Sequence, residues 1–122
     1  MKTKFILLLL GLLLITGCSK TADELFELSN QNLKDKKTDQ AINDLERLVT
    51  KYPQDSLASQ AQYKLASINL NWKNDLASGY AALQATVNNY GGSIQAIQAQ
   101  KEIGSRLAPR GGHQLRAQQR PR

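Results

Sequence analysis

Residues 41–66 contain two helical patterns separated by a proline, and this stretch constrains the fold more than any other. In its first half, apolar residues recur every three or four positions, as on one face of a helix: Ala41, Leu45, Leu48, Val49 and Tyr52. Pro53 ends this helix, because proline lacks an N–H and disfavours helical backbone in the residue before it. Asp55 or Ser56 can then cap a second helix. Its apolar face comprises Leu57, Ala58, Ala61, Leu65 and Ile68.

The same pattern recurs further along the chain. A 38-residue shift places Tyr52 on Tyr90 and Leu45 on Leu83, and it pairs Pro53 with Gly91, a second residue that interrupts helices. Small alanines beside larger apolar residues on both helices indicate close packing against neighbours on two sides. We therefore expect a repeat, with Leu45 and Ala61 in the core shared by successive hairpins.

These residues resemble the tetratricopeptide repeat (TPR), a helix-turn-helix unit of about 34 residues. In a unit numbered from Ala22, the small, large apolar and proline positions are Ala41, Leu45 and Pro53. The resemblance is weaker earlier in the unit, where Ser29 and Asn32 replace the usual glycine and tyrosine. It implies an all-α fold, a short TPR-like solenoid of about two and a half helical hairpins over residues 21–105.

Capping signals divide this region into five helices. Thr21 and Glu24 have the spacing of a capping box, and Thr38 and Ser93 are expected to cap the second and fifth helices. The fifth helix is expected to fade near Gly104. A run around Tyr52 and Pro53 is similar to bacterial envelope TPR proteins, including BamD-type outer-membrane assembly lipoproteins and YbgF-type periplasmic partners of the Tol-Pal system.

The N-terminus has the features of a lipoprotein signal peptide, predicted over residues 1–17. Lys2 and Lys4 precede an apolar run over positions 5–15, which is about half as long as the ~20 residues that a membrane-spanning helix needs. The run ends in Ile15-Thr16-Gly17-Cys18, which resembles a bacterial lipobox. We expect Cys18 to carry lipid, such as palmitate, and residues 18–20 to link it to the helices. An ordinary secretory signal with an incidental cysteine, or an uncleaved anchor, is the alternative.

The predicted location is the periplasmic face of the outer membrane, with attachment to the membrane through the lipid on Cys18. Ser19 supports this location, since Asp after the cysteine would favour the inner membrane. Two or three acyl chains give stable anchoring, whereas one chain is marginal.

Residues 106–122 differ from the rest of the chain. They contain five arginines and no lysine, whereas residues 18–105 have nine basic and ten acidic groups. We expect a basic, disordered tail, since few apolar side chains are present to offset backbone entropy. Three origins stay open: a frameshift or vector-derived end, a native disordered tail, and a docked capping segment. The arginines either contact anionic lipid or cell-wall polymer, or they remain exposed to solvent.

The sequence contains no enzyme motif. The single His113 lies in the tail, so the chain offers no histidine pair and no clustered metal ligands, and Gly91-Gly92 is a turn, not a phosphate loop. The prediction is a non-enzyme without a cofactor or metal. The tail has no aromatic residue to stack on bases, so no nucleic-acid partner is predicted.

The TPR resemblance also implies a groove, lined by the first helix of each unit, that binds a peptide or a partner helix. The corresponding residues are Phe26, Asn30, Leu33, Lys64, Ile68, Asn71 and Trp72. Phe26, Ile68 and Trp72 either anchor a partner or bury against neighbouring helices. The predicted function is a protein-interaction adaptor in envelope or outer-membrane protein assembly. The alternative is an accessory or substrate-binding lipoprotein that serves an envelope enzyme or the Tol-Pal and cell-division machinery.

Overall fold

The computed structural model describes residues 19–107, and within this range the chain forms five α-helices and no β-strand. In chain order they are α1 (Ala22–Lys34), α2 (Thr38–Lys51), α3 (Ser56–Asn71), α4 (Leu76–Asn89) and α5 (Ile94–Leu107). This is the predicted short TPR-like solenoid of two hairpins and one further helix. The predicted signal peptide (1–17), Cys18 and residues 108–122 lie outside the described range.

Most helix starts follow the capping signals in the sequence. The backbone N–H of Glu24 donates to Thr21 Oγ1 (3.2 Å) and that of Thr21 donates to Glu24 Oε2 (3.1 Å), which confirms the capping box. Asp55 accepts from the N–H of Leu57 (2.9 Å). Ser93 Oγ accepts from the N–H of Ala96 (3.1 Å), as predicted for the last helix.

The predicted cap at Thr38 is wrong. The N-cap of α2 is Lys37, whose side chain makes no capping hydrogen bond, and Thr38 is already helical. Within the connection, Lys36 adopts a left-handed conformation (φ 59°). Its N–H donates to Leu33 O and that of Lys37 to Asn32 O, which closes α1 with a Schellman motif.

The backbone repeats with the period seen in the sequence. A 38-residue interval separates the start of α2 from the start of α4, and it also separates their C-caps, Tyr52 and Tyr90. The two non-glycine residues with positive φ among the described residues, Lys36 and Asn74, are separated by the same interval. The 38-residue shift is therefore a structural period of the solenoid.

Each helix packs against the next, and α3 also contacts both α1 and α5. Leu25, Leu45, Leu48 and Leu83 are fully buried between the helices. Leu45 and Ala61 are both fully buried in the same cluster, which confirms their predicted place in the core.

The last helix is longer than predicted. α5 continues through Arg106 to Leu107 rather than fading near Gly104. Arg106 Nε pairs with Glu102 Oε1 one turn earlier (3.0 Å), and its Nη2 donates to Asn71 Oδ1 in α3 (3.2 Å). The helical part thus extends beyond the predicted boundary at Ser105, because Arg106 has partners on two helices.

The first described residues are held against the end of α2. Lys51 Nζ donates to Ser19 Oγ (3.0 Å), and the hydroxyl of Tyr52 donates to the backbone carbonyl of Lys20 (2.7 Å). The segment just after position 18 therefore lies beside the Tyr52-Pro53 turn.

Candidate functional site

The first helices of the successive units, α1, α3 and α5, join through polar side chains into one surface. We call it the first-helix surface and define it by six residues that interact across these helices or within one of them. They are Phe26, Asn30, Tyr63, Lys64, Glu102 and Arg106. Five of them are partly buried and Arg106 is exposed, so each still presents area to a partner.

Lys64 occupies the middle of this surface and links α3 to α1. Its ammonium group lies 4.8 Å from the centre of the Phe26 ring, within range of a cation–π contact, and it donates to Asn30 Oδ1. Burial lowers the pKa of Lys64, while the nearby Glu27 carboxylate opposes that change. The Lys64 ammonium group thus lies over an aromatic ring and beside an amide. Its remaining protons can be donated to an acceptor on another molecule.

The structure brings three of the seven predicted groove residues together here: Phe26, Asn30 and Lys64. Asn71 is exposed at the end of α3, where it accepts a hydrogen bond from Arg106. Trp72 is the C-cap of α3 and is 57% exposed. Its exposure leaves it available to a partner.

Ile68 does not line the surface, and its assignment to the groove is corrected. It is only 2% exposed and belongs to the core cluster. It shares the apolar stripe of α3 with Ala61 and Leu65, so the helix turns it toward the interior. Leu33 is partly buried and packs against the same core, which leaves only part of its side chain accessible.

A polar network that the sequence did not reveal joins α3 to α5. The hydroxyl of Tyr63 donates to Glu102 Oε2 (3.0 Å), and the other oxygen of that carboxylate binds Arg106. Burial raises the pKa of Tyr63, and the hydrogen bond to Glu102 and its negative charge add to this. Arg106 then reaches Asn71, so the network follows α5 along the surface.

Part of this network was readable in the sequence. Glu102 and Arg106 have the i,i+4 spacing of a helical ion pair. A domain boundary at Ser105, where lysine gives way to arginine in the sequence, falls between these two residues. Tyr63 carried no comparable signal, since its partner lies on a helix of the following unit.

Beside this network, Tyr63, Glu102 and Ser105 line an open cleft of about 320 Å³. Within residues 19–107, no three histidine, cysteine, aspartate or glutamate side chains are grouped so that they could hold a metal ion. The helices in that range are too short or too polar to cross a membrane. His113 and Cys18 lie outside the described residues.

Comparison with known proteins agrees with the repeat. A family model described as a tetratricopeptide repeat matches residues 7–55, which include α1 and α2. The match ends at Asp55, the last residue of the 34-residue unit numbered from Ala22. No curated protein and no solved structure matches the chain. The match and the stacked hairpins support a tetratricopeptide-repeat protein, and such repeats commonly serve protein–protein interaction.

Proposed function

We propose that the chain is a non-enzymatic, lipid-anchored adaptor that binds another protein on its first-helix surface. The observation that carries the proposal is the Lys64 centre, where a partly buried ammonium group lies over Phe26 and beside Asn30. Aromatic residues such as phenylalanine are enriched in protein interfaces, and an ammonium group held in place by an aromatic ring has donors to offer a partner's carbonyl or carboxylate.

The chemistry of the surface suits a peptide or a helix end. Lys64 can donate to a backbone carbonyl or a carboxylate, and Asn30 can exchange its internal bond for one to the peptide backbone. Glu102 and Arg106 add a carboxylate and a guanidinium along α5. A partner strand or helix lying across α1, α3 and α5 would therefore meet apolar, cationic and polar groups in succession.

The proposed site of action is the periplasmic face of the outer membrane, in envelope or outer-membrane protein assembly. Support comes from the sequence: a positive segment, an apolar run over positions 5–15 and a lone cysteine after Ile15-Thr16-Gly17. Replacing Cys18 by serine should leave uncleaved, unlipidated precursor. If labelled palmitate enters the wild type no better than this variant, the anchoring part of the proposal is wrong.

Site-specific photo-crosslinking tests the binding surface. A photoreactive amino acid replaces Glu27, an exposed α1 residue close enough to Lys64 to affect its pKa. The matched control replaces Arg47, which is exposed on α2. We expect a discrete protein adduct from position 27 that disappears when Lys64→Glu is added, and none from position 47. Equal adducts from both positions, or an adduct indifferent to Lys64→Glu, would contradict the proposed surface.

A further inference from the structure

We propose that the end of the helices at which α5 begins, where Ile94 and Ile97 are exposed, contacts the lipid bilayer. The helix axes then lie across the membrane plane and not along it. This inference depends on the proposed lipid anchor at Cys18, and it assigns a second, non-covalent contact with the same membrane. The two exposed isoleucines contact the headgroup region of a phospholipid bilayer.

The first turn of α5 exposes two large apolar side chains. Ile94 is 70% exposed and Ile97 is 66% exposed, the two highest values among the large apolar side chains of residues 19–107. Neighbouring Ala96 and Ala99 are buried on the other side of the same helix. The isoleucines thus project away from the core at the end where α5 begins.

The first turn of α5 lies at the same end of the helices as Ser19 and Lys20, the described residues that follow the proposed anchor. α3 and α5 begin 38 residues apart, at Ser56 and Ile94, and their first turns are joined by the hydrogen bond from Ser59 to Gln95 (3.2 Å). Ser19 and Lys20, which come directly after position 18, are fixed to the C-terminal end of α2 by Lys51 and Tyr52. The described residues that follow position 18 are therefore held at the end of the helices where α3 begins, and α5 begins at that same end.

The composition of this region suits contact with a membrane. Residues 76–100, which include α4, the Gly91-Gly92 turn and the start of α5, contain no Asp, Glu, Lys or Arg. Bringing the turn close to the apolar boundary therefore removes no charge from water, and desolvating a charge is the largest cost of such contact. Ser93 and Gln95 flank the isoleucines with polar groups that suit the headgroup layer.

The acyl chains provide attachment in this arrangement, and the isoleucines determine orientation. A flexible link would let the solenoid tumble beneath its anchor. Two points of attachment, the bound link beside α1 and the isoleucines of α5, restrict rotation of the solenoid about its anchor. The opposite end, with Trp72 and Leu76, then faces away from the bilayer.

Trp72, the only tryptophan, gives the experiment an internal reference. It follows the last residue of α3, a helix of 16 residues, so it lies about 24 Å from the end where α3 begins. The lipidated protein, as processed in cells, is reconstituted into phosphatidylethanolamine–phosphatidylglycerol vesicles. Their acyl chains are brominated near the carbonyl group, since bromine quenches tryptophan fluorescence on contact. The variant places tryptophan at the proposed contact by combining Ile94→Trp with Trp72→Phe. The control combines Leu76→Trp with Trp72→Phe, because Leu76 is also exposed (52%) but lies at the opposite end.

We expect tryptophan at position 94 to be quenched several-fold more strongly than wild-type Trp72 or tryptophan at position 76. Equal quenching at both ends would overturn the proposal, as would quenching at Trp72 alone. Absence of quenching at position 94 in vesicle-bound protein would also overturn it and leave a protein partner as the occupant of the isoleucines. All variants change exposed residues, and unchanged helical circular dichroism verifies their folding.

Flotation of the wild type with vesicles, measured separately, reports whether the anchor exists. If the protein made in cells does not float, the proposed anchoring fails, but the orientation is still tested. Cys18 is the only cysteine and can be coupled to a maleimide-bearing phospholipid in the full chain, after which the same quenching is measured. Equal quenching at positions 94 and 76 in that preparation overturns the docking end independently of the lipidation result.

Discussion

Gly79 of α4 lies directly against the side chain of Leu70 in α3, and a Cβ added at Gly79 would overlap Leu70 Cγ and Cδ2. Leu70 is buried (4% exposed), so it has little freedom to move aside. Gly79 is also the small residue that the 38-residue shift pairs with Ala41.

Gly79→Ala should therefore destabilise the fold. Overpacking of a core costs roughly 1–3 kcal/mol, which exceeds the ~0.5–1 kcal/mol that alanine gains over glycine within a helix. The matched control is Gly104→Ala in α5, where an added Cβ meets no atom within 4 Å and should stabilise. Urea denaturation gives both free energies of unfolding, and shifts of the same sign would contradict the close packing at Gly79.

Leu45→Ala should leave a cavity at the junction of the two hairpins. Leu45 is fully buried, and such substitutions cost about 2–5 kcal/mol. This is a large part of the stability of a small domain. Glu46→Ala, at the exposed neighbouring position, is the control. A melting midpoint equal to that of the wild type for Leu45→Ala would show that the helix register is wrong.

Lys36→Gly should stabilise the protein. Lys36 has a φ of 59°, a conformation that costs a residue with a side chain roughly 1–2 kcal/mol and costs glycine nothing. Part of the gain is lost because glycine is more flexible in the unfolded chain. Asn74→Gly, at the equivalent position (φ 54°), should gain less because asparagine tolerates this conformation. A larger gain at position 74 than at 36 in urea denaturation would contradict this reasoning.

Truncation after Ser105 should differ from truncation after Leu107. The shorter chain loses the Arg106–Glu102 pair and the Arg106–Asn71 hydrogen bond, and a partly exposed pair contributes about 0.2–1 kcal/mol. Arg106→Ala in the full chain should reproduce that loss. If both truncated chains and the full chain unfold at the same urea concentration, the contacts of Arg106 contribute nothing to stability.

Tyr90 should make stability sensitive to alkaline pH. Burial raises the pKa of Tyr90 above its ordinary value of 10.0, so the folded state retains a proton that the unfolded state releases. Stability from this group is complete below the unfolded pKa and declines as the pH rises through the folded pKa. The wild type should therefore lose more stability between about pH 9 and 11 than Tyr90→Phe, measured by urea denaturation across that range. Parallel losses would show that burial does not affect this hydroxyl.

The sequence was sufficient for the fold because its signals are local. The apolar spacing around Leu45, the break at Pro53 and the recurrence at Tyr90 each act within one helix or one turn, so the helices and their period could be predicted. The prediction that Thr38 caps α2 was wrong because the start of α2 follows a left-handed residue, Lys36. Nothing in the lysine side chain indicates that conformation. Lysine is uncommon in that conformation.

The candidate site was less predictable because it depends on contacts between helices. Ile68 and Lys64 lie one turn apart on α3, yet one is in the core and the other on the surface. The repeat positions of the family assign both residues to the groove. The apolar stripe through Ala61 and Leu65 distinguishes them, because Ile68 belongs to that stripe and Lys64 does not. The link from Tyr63 to Glu102 requires the distance between α3 and α5, which appears only after the helices are packed.

The additional turn at the start of α3 has a consequence for modularity. Residues 56–59 account for the difference between the 34-residue unit and the 38-residue period, and Ser59 in this turn donates to Gln95 in the equivalent turn of α5 (3.2 Å). A conventional 34-residue unit inserted after α4 would lack the turn that carries Gln95 and could not make this bond. The additional turn therefore adds a hydrogen bond between α3 and α5 that α1, which begins at Ala22 without such a turn, has no equivalent residue to make.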